Sequence, residues 1–429
     1  MLDIRLIRED PSFVQGRLQT RGGSCSQLVE EVLACDETRR TAETEKQALQ
    51  GQRKNSAKKI GMLKAKGEDT SALEAEGRAL GEQIAALNES TTAAEERQRA
   101  LLLEIPNLPH AQCPIGSDST SNPEIRSWGV QPQFGFAPKD HVEIGARLGL
   151  IDFENATKIS SGGFAVFRGL GARLERALIN FLLDLHTRDH GYEEVSPPFI
   201  INRDCMFGTG QLPKFEEDMY GIEENKFFLA PTAEVPVTNL WRETILAEKD
   251  LPVRATAYTP CFRREAGAAG RDNRGLIRMH QFDKVELVQI THPDQSFAAL
   301  ESITHHAETV LQRLGLHYRI VELCTGDLGF SSAKTYDIEV WAPGQGKYLE
   351  VSSCSNFADY QARRLNLRFK DANGKNRFCH TLNGSGTALP RLYVSLLESY
   401  QQEDGSVRIP EALQPYFGAN QIPSQPPRS

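Results

Sequence analysis

Residues 259–286 read TPCFRREAGAAGRDNRGLIRMHQFDKVE, and the fold class hangs on how this stretch is read. Both ends alternate apolar with polar residues and the middle is rich in Gly and Arg, so it reads as a β-hairpin with a long flexible tip that includes Gly267, Gly270, Arg271, Arg274 and Gly275. Side chains alternate along a strand, which puts Arg263 and Glu265 on one face. Arg278, Phe282 and Glu286 likewise share a face, with Phe282 and Glu286 ~13 Å apart. An arginine, an aromatic ring and a carboxylate aimed the same way suit a triphosphate, a purine and an ammonium group. The pattern fits an ordinary amphipathic hairpin with its charges in water equally well.

Working outward, further strand-like runs occur at 225–229, 255–263, 277–290, 318–323, 336–341 and 348–353. Residues 170–190 form a helical pattern with Leu170, Leu174, Leu178, Phe181, Leu182 and Leu185 on one face, stopped by Gly191. Helices around many hairpin-type strands predict an α+β fold with a mainly antiparallel sheet. In 348–356 (YLEVSSCSN), strict alternation pairs Glu350 with Ser352, and joint use of Glu350 and Ser353 requires a local bend. In 380–391 (HTLNGSGTALPR), Pro390 suits the first turn of a helix and puts Arg391 near its positive end. A cation there is unfavourable unless an anion such as phosphate occupies the site.

Upstream, two long helices are expected. The first, from about Leu28, has a heptad seam at Leu28, Val32, Cys35, Arg39, Ala42, Lys46, Leu49, Arg53, Ser56, Ile60 and Leu63. The second carries its seam at Leu73, Gly77, Leu80, Ile84, Leu87, Thr91, Ala94, Gln98 and Leu101. Residues 67–70 break the run, and Ser71 with Glu74 matches a capping box. The prediction is an antiparallel hairpin over about 28–104, each arm ~50 Å long and standing away from the globule. Arg39, Arg40, Lys46, Arg53, Lys54, Lys58, Lys59, Lys64 and Lys66 face only Glu43 and Glu45 within 39–66, whereas carboxylates dominate 71–104. The two arms attract one another, and the cation surplus points to an RNA partner.

The chain average hides this, because 429 residues with 49 Lys and Arg against 57 Asp and Glu carry a net charge of −8. That length predicts at least two domains: 1–105 with the hairpin, a proline-punctuated linker over 106–139, a main domain over 140–421 and a disordered tail over 422–429. The amino terminus has no signal-peptide core, no apolar run is long enough for a membrane helix, and the eight cysteines form no C-x-x-C pair. A cytoplasmic protein without a membrane partner is therefore expected. P-loop, dinucleotide-binding, zinc-protease and serine-hydrolase motifs are missing. His305-His306 read as packing or solvent-facing residues.

On these residues the chain resembles the seryl-tRNA synthetases, a family of class II aminoacyl-tRNA synthetases, over essentially its whole length. Phe262-Arg263-Arg264-Glu265 is similar to the class's motif 2, and Gly386-x-x-x-Pro390-Arg391 to motif 3. The helix ending at Gly191 with Val195-Ser196-Pro197-Pro198 is similar to motif 1, while Pro390 stands where many members carry glycine. Thr232-Ala233-Glu234, Asn383-Gly384-Ser385 and the basic hairpin make the serine assignment specific.

The resemblance implies ATP-dependent activation of L-serine to seryl-adenylate and transfer to the 3′ end of serine tRNA, and of selenocysteine tRNA. It implies that Arg263, Arg391 and Glu350 are catalytic. Arg263, Arg264, Glu265, Arg278, Phe282, Arg391 and the run Glu350-Val351-Ser352-Ser353 bind ATP, with Glu350 and Ser353 holding Mg²⁺. Thr232, Ala233, Glu234, Arg263, Glu286, Asn383 and Ser385 bind serine. The hairpin, through Arg39, Arg40, Lys46, Arg53, Lys54, Lys58, Lys59 and Lys64, grips tRNA across a homodimer, and no zinc is expected. The alternatives are a serine-activating paralogue serving another acceptor, and a non-catalytic RNA-binding relative.

Overall fold

The computed structural model describes residues 1–23, 25–265 and 274–424. The chain forms two compact units, one of residues 1–19 and 23–106, the other of residues 20–22 and 107 onward. No helix of the described residues is long and apolar enough to cross a membrane.

In the first unit, short helices α1 (Ile4–Glu9) and α2 (Pro11–Gln19) precede α3 (Ser26–Ala65) and α4 (Ser71–Glu104). The heptad seam packs as its period requires. Val32 and Ala42 of α3 are buried, as are Leu80, Ile84, Thr91, Ala94, Gln98 and Leu101 of α4. The cations in the α3 seam are accommodated locally: Arg39 pairs with Asp36 at 3.2 Å, Lys46 pairs with Glu43, and the Arg53 guanidinium lies across Gly81. The S-x-x-E pattern does not act as a capping box. Ser71 is already the first helical residue, so Asp69 takes over and accepts from the Ser71 N–H at 2.9 Å and its hydroxyl at 3.0 Å. Glu74 instead accepts from the Thr70 hydroxyl at 2.9 Å and pairs with Lys64 at 2.8 Å.

The second unit is built on an eight-stranded sheet of β1 (Glu124–Trp128), β2 (Glu193–Glu194), β3 (Val253–Phe262), β4 (Gln281–Thr291), β5 (Tyr318–Glu322), β6 (Lys334–Ala342), β7 (Lys347–Asn356) and β8 (His380–Ala388). Their order is β1-β5-β6-β7-β8-β4-β3-β2, antiparallel throughout except for the β2–β3 pair. Helices α5 (Leu170–Asp184), α6 (Ser296–Arg313), α7 (Tyr360–Leu365) and α8 (Leu389–Ser399) pack around it. Leu174, Leu178, Phe181 and Leu182 of α5 join Leu300 and Ile303 of α6 and Leu392, Tyr393, Leu396 and Leu397 of α8 in one core. Gly191 has φ 69°, the left-handed geometry that ends the α5 region.

Three expectations are revised. The segment 106–139 does not hang free, because β1 is an edge strand of the main sheet and Asn107 donates its side-chain amide to the carbonyls of Ser331 (2.9 Å) and Phe357 (2.8 Å). Its prolines flank β1, as an edge strand tolerates. The strand expected over 277–290 begins only at Gln281. The preceding turn is pinned by His141, whose Nε2 accepts from the Leu276 N–H at 3.1 Å. Ile422, expected to begin a disordered tail, is ordered: Gln421–Ile422 pairs with Val407–Arg408, and Ile422 is buried. Residues 266–273, with Gly267, Gly270 and Arg271 of the hairpin tip, and 425–429 of the tail lie outside the described residues.

Asp36 on α3 supplies a pH handle. Burial opposes its charge, but hydrogen bonds from Arg39, Arg8 and Gln98 outweigh that and hold its carboxyl below the usual range. Asp36→Asn should destabilise the first unit by about 1–3 kcal/mol at pH 7. A depressed pKa contributes stability above the unfolded value and loses it as pH falls through the folded one. The gap between variant and wild type should therefore close below the ordinary aspartate range, as read by circular-dichroism melts across pH.

Candidate active site

A cavity of about 540 Å³ opens on one face of the sheet of the second unit. Strands β4, β6, β7 and β8, the segment just past the end of β3 and the start of α8 supply its lining, so residues from 209 to 391 meet there. Two bulges decide which side chains face it. On β7, Ile338 pairs with Ser352 but Glu339 pairs with Glu350, leaving Val351 extra. Facing parity therefore switches, and Glu350 shares the cavity with Ser353 and Ser355. On β8, Val285 pairs with Thr387 but Glu286 pairs with Ser385, leaving Gly386 extra. A Cβ on Gly386 would lie 2.6 Å from the His186 Nε2, the atom that meets the Gly386 carbonyl at 3.0 Å. Burial pushes His186 down to about 4, so this ring is neutral and fixed.

The inner end of the cavity is a buried polar cluster. Asn383 donates its side-chain amide to Glu234 Oε2 (2.9 Å) and Glu286 Oε1 (3.1 Å), so a single amide serves two carboxylates. Glu286 Oε2 accepts from Thr232 (3.4 Å) and Ser385 (3.5 Å) and pairs with the ammonium of Lys284, which also donates to the Thr232 hydroxyl at 2.9 Å. Gln361 Nε2 donates to Glu234 Oε1 at 2.7 Å. Burial, then the charge of Glu286, pushes Glu234 up to about 7; Gln361, Lys284 and Arg263 offset part of this. A nearby cation would favour the charged form of this carboxyl.

Toward the mouth, the Arg263 guanidinium lies 5.3 Å from the centre of the Phe282 ring and donates to the Pro231 carbonyl at 3.3 Å. Glu265 follows the end of β3 with φ 51° and pairs with Arg278 at 2.8 Å. Arg391, in the first turn of α8, donates to the Glu350 carbonyl at 2.8 Å and meets its carboxylate at 3.3 Å. The acidic partner offsets the unfavourable dipole position of this cation.

The structure thus brings Thr232, Glu234, Arg263, Glu265, Arg278, Phe282, Glu286, Glu350, Val351, Ser353, Asn383, Ser385 and Arg391 to one cavity. Three expected residues do not line it. Ala233 is buried, Arg264 is exposed with its N–H on the Asp218 carbonyl, and Ser352 turns away to donate to the Ser385 carbonyl at 2.6 Å. Lys284 was legible yet overlooked, since it lies two residues from Glu286 and therefore on the same face. Of the hairpin cations, Arg39 and Arg40 share Asp36, Lys46 has Glu43 and Lys64 has Glu74, whereas Arg53, Lys54, Lys58 and Lys59 are exposed on α3.

Residues 1–109 match a family described as the seryl-tRNA synthetase N-terminal domain, and residues 214–400 match the tRNA synthetase class II core domain (G, H, P, S and T). A serine--tRNA ligase from Akkermansia muciniphila is 66% identical over 422 residues, covering 98% of this chain and 99% of that protein. The crystal structure of seryl-tRNA synthetase from Pyrococcus horikoshii complexed with ATP superposes with TM-score 0.94 at 38% identity, covering 99% of this chain and 100% of that one. The cytoplasmic serine-tRNA ligase of Naegleria fowleri in complex with AMP gives TM-score 0.89 at 28% identity, covering 99% of both.

The buried carboxyl of Glu234 costs stability. The folded chain holds its proton up to about 7, while the unfolded chain releases it near 4.5, so this group lowers stability as pH rises between those values. Glu234→Gln should match wild type at pH 4 and exceed it at pH 8, by up to about 3 kcal/mol in denaturant titrations.

Proposed function

The chain belongs to the seryl-tRNA synthetase family and so activates serine with ATP and charges tRNA with it, and we propose that the cavity on the sheet is where activation takes place. The observation that carries this reading is the gathering, in one cavity, of an acidic pocket and a row of arginines. At the inner end stand Glu234 with amide partners and Glu286 with hydroxyl partners; at the mouth stand Arg263, Arg278 and Arg391 with an aromatic ring.

Glu234, Glu286 and Thr232 receive the serine ammonium, and Glu286 with Ser385 and Asn383 meets the hydroxyl. A pocket built to hydrogen-bond a hydroxyl leaves polar groups unpaired when alanine enters, and discrimination against threonine falls to steric opposition to its extra methyl. Phe282 stacks on adenine and Glu265 accepts from its amino group once it exchanges Arg278 for the base. Arg278 and Arg391 hold the phosphate tail, and Arg263 spans the serine carboxylate and the α-phosphate. A carboxylate oxygen then attacks the α-phosphorus, the bond to the β-phosphate bridging oxygen breaks, and pyrophosphate leaves. Fixed charge and orientation suffice, with no protein nucleophile. In the second step the terminal ribose hydroxyl of tRNA displaces AMP from the adenylate.

Glu350 and Ser353 fit a hard divalent cation: both are oxygen donors, and the bulge at Val351 gives them one face. The Glu350 carboxylate, which meets Arg391 at 3.3 Å, and the Ser353 hydroxyl are the residues that would hold it. A divalent cation held there would supply charge neutralisation to the phosphate chain. The α3–α4 hairpin is read as the arm that takes tRNA through its exposed cations. Family membership supports action as a homodimer, in the cytoplasm, where tRNA charging is needed.

Serine-dependent ATP–pyrophosphate exchange tests the assignment. Glu286→Ala should lower it at least about 100-fold, with the fold intact by circular dichroism; normal exchange by that variant would sink the site. Reversing Lys54, Lys58 and Lys59 to Glu should leave exchange unchanged while kcat/KM for tRNA charging falls about 10- to 100-fold, with a shallower salt dependence. Charging indifferent to the reversal would refute the reading of the hairpin.

A further inference from the structure

Gln361 is not among the residues that line the cavity, yet its amide is fully engaged with one that does. It sits on α7 and is 1% exposed. Its Nε2 donates to Glu234 Oε1 at 2.7 Å and to the Thr209 carbonyl at 3.1 Å, and its Oε1 accepts from the Thr381 hydroxyl at 2.7 Å. A carbonyl can only accept, so the Thr209 contact fixes which end of the amide carries the hydrogens. The other oxygen of Glu234 is taken by Asn383. Thr381 and Asn383 stand two residues apart on β8 and share a face. One strand therefore holds both oxygens of a carboxylate far away in sequence, directly through Asn383 and at one remove through Gln361.

We propose that Gln361 is a positioning residue for the amino-acid substrate, touching neither serine nor ATP but holding the Glu234 carboxylate ionised and aimed at the serine ammonium. The inference rests on the reading that Glu234 receives that ammonium. An N–H donor favours the charged form of a carboxyl, and a cation is bound only by the charged form. The other charged groups facing Glu234 are Glu286 and Lys284 from β4 and Arg263 beyond the end of β3. Glu286 opposes ionisation, and the two cations support it. Gln361 supplies a neutral contribution that no ion pair replaces, and its hydrogen bond sets the plane of the carboxylate as well as its charge.

The test is pyrophosphate exchange by the full chain across pH 5.5–9, varying serine and ATP separately. Gln361→Met keeps the length of the side chain and removes the donor. Its KM for serine should rise about 10- to 100-fold, the range for a hydrogen bond to a charged group, while KM for ATP and kcat at saturating serine stay near wild type. The midpoint of the pH dependence of serine KM should move up by about one pH unit. A loss of packing alone would depress kcat and the melting temperature and leave that midpoint in place, and this outcome overturns the proposal. Should Gln361→Met not fold, Thr381→Val frees the Gln361 amide to turn and must move the midpoint in the same direction by less; an unmoved midpoint there is equally fatal. Glu234→Gln separates the two readings. If it binds serine normally, the role given to Glu234 is wrong; if it loses serine while Gln361→Met behaves as wild type, only the role of Gln361 fails.

Discussion

The active-site architecture depends on one constraint: two buried carboxylates, Glu234 and Glu286, must stand close enough to share the amide of Asn383. Like charges at that separation repel strongly away from water, so each needs its own compensation. Glu286 has the ammonium of Lys284 and the hydroxyls of Thr232 and Ser385. Glu234 has only neutral amides in hydrogen-bond contact, and it keeps its proton to about 7. A cation placed between the two carboxylates would relieve that repulsion.

The sheet serves this constraint through its irregularities. In a regular strand, alternate residues point the same way for its whole length, and no side chain could change faces. Bulges at Val351 and Gly386 break that rule in two neighbouring strands. On β8, Asn383 and Ser385 face the cavity and then Ala388 does; on β7, Glu350 does and then Ser353 and Ser355. The buried acidic end and the arginine-lined mouth of the cavity can thus be built from the same strands. Gly386 is confined to glycine by the neutral ring of His186, which pins the bulge from beneath.

How much of this was legible in the sequence follows from how local each signal is. The heptad seams of α3 and α4 are repeated local patterns, and the α4 seam is buried at most of its positions, whereas in α3 only Val32 and Ala42 of the seam are buried and Arg53 is exposed. Phe282 and Glu286 shared a face because β4 is regular between them. The Glu350–Ser353 bend was required by the resemblance before any register was visible, whereas the bulge at Gly386 left no such trace. The capping box failed because the helix starts one residue earlier than S-x-x-E demands, a difference that only hydrogen bonds at Asp69 and Thr70 decide. Edge strand β1 was hidden by its prolines. Gln361 carried no signal at all, since its partner Glu234 lies 127 residues away and only the closed sheet brings them together.

Strand β8 is the last of the eight to leave the ribosome, yet it lies between β7 and β4 in the middle of the sheet. Without residues 380–388, the facing edges of the two long strands β4 and β7 would have no neighbour. Insertion of β8 closes that seam and delivers Asn383 and Ser385 in the same event. The middle of the sheet and the inner end of the cavity are therefore completed by one and the same strand, and a chain that stops short of residue 380 lacks both.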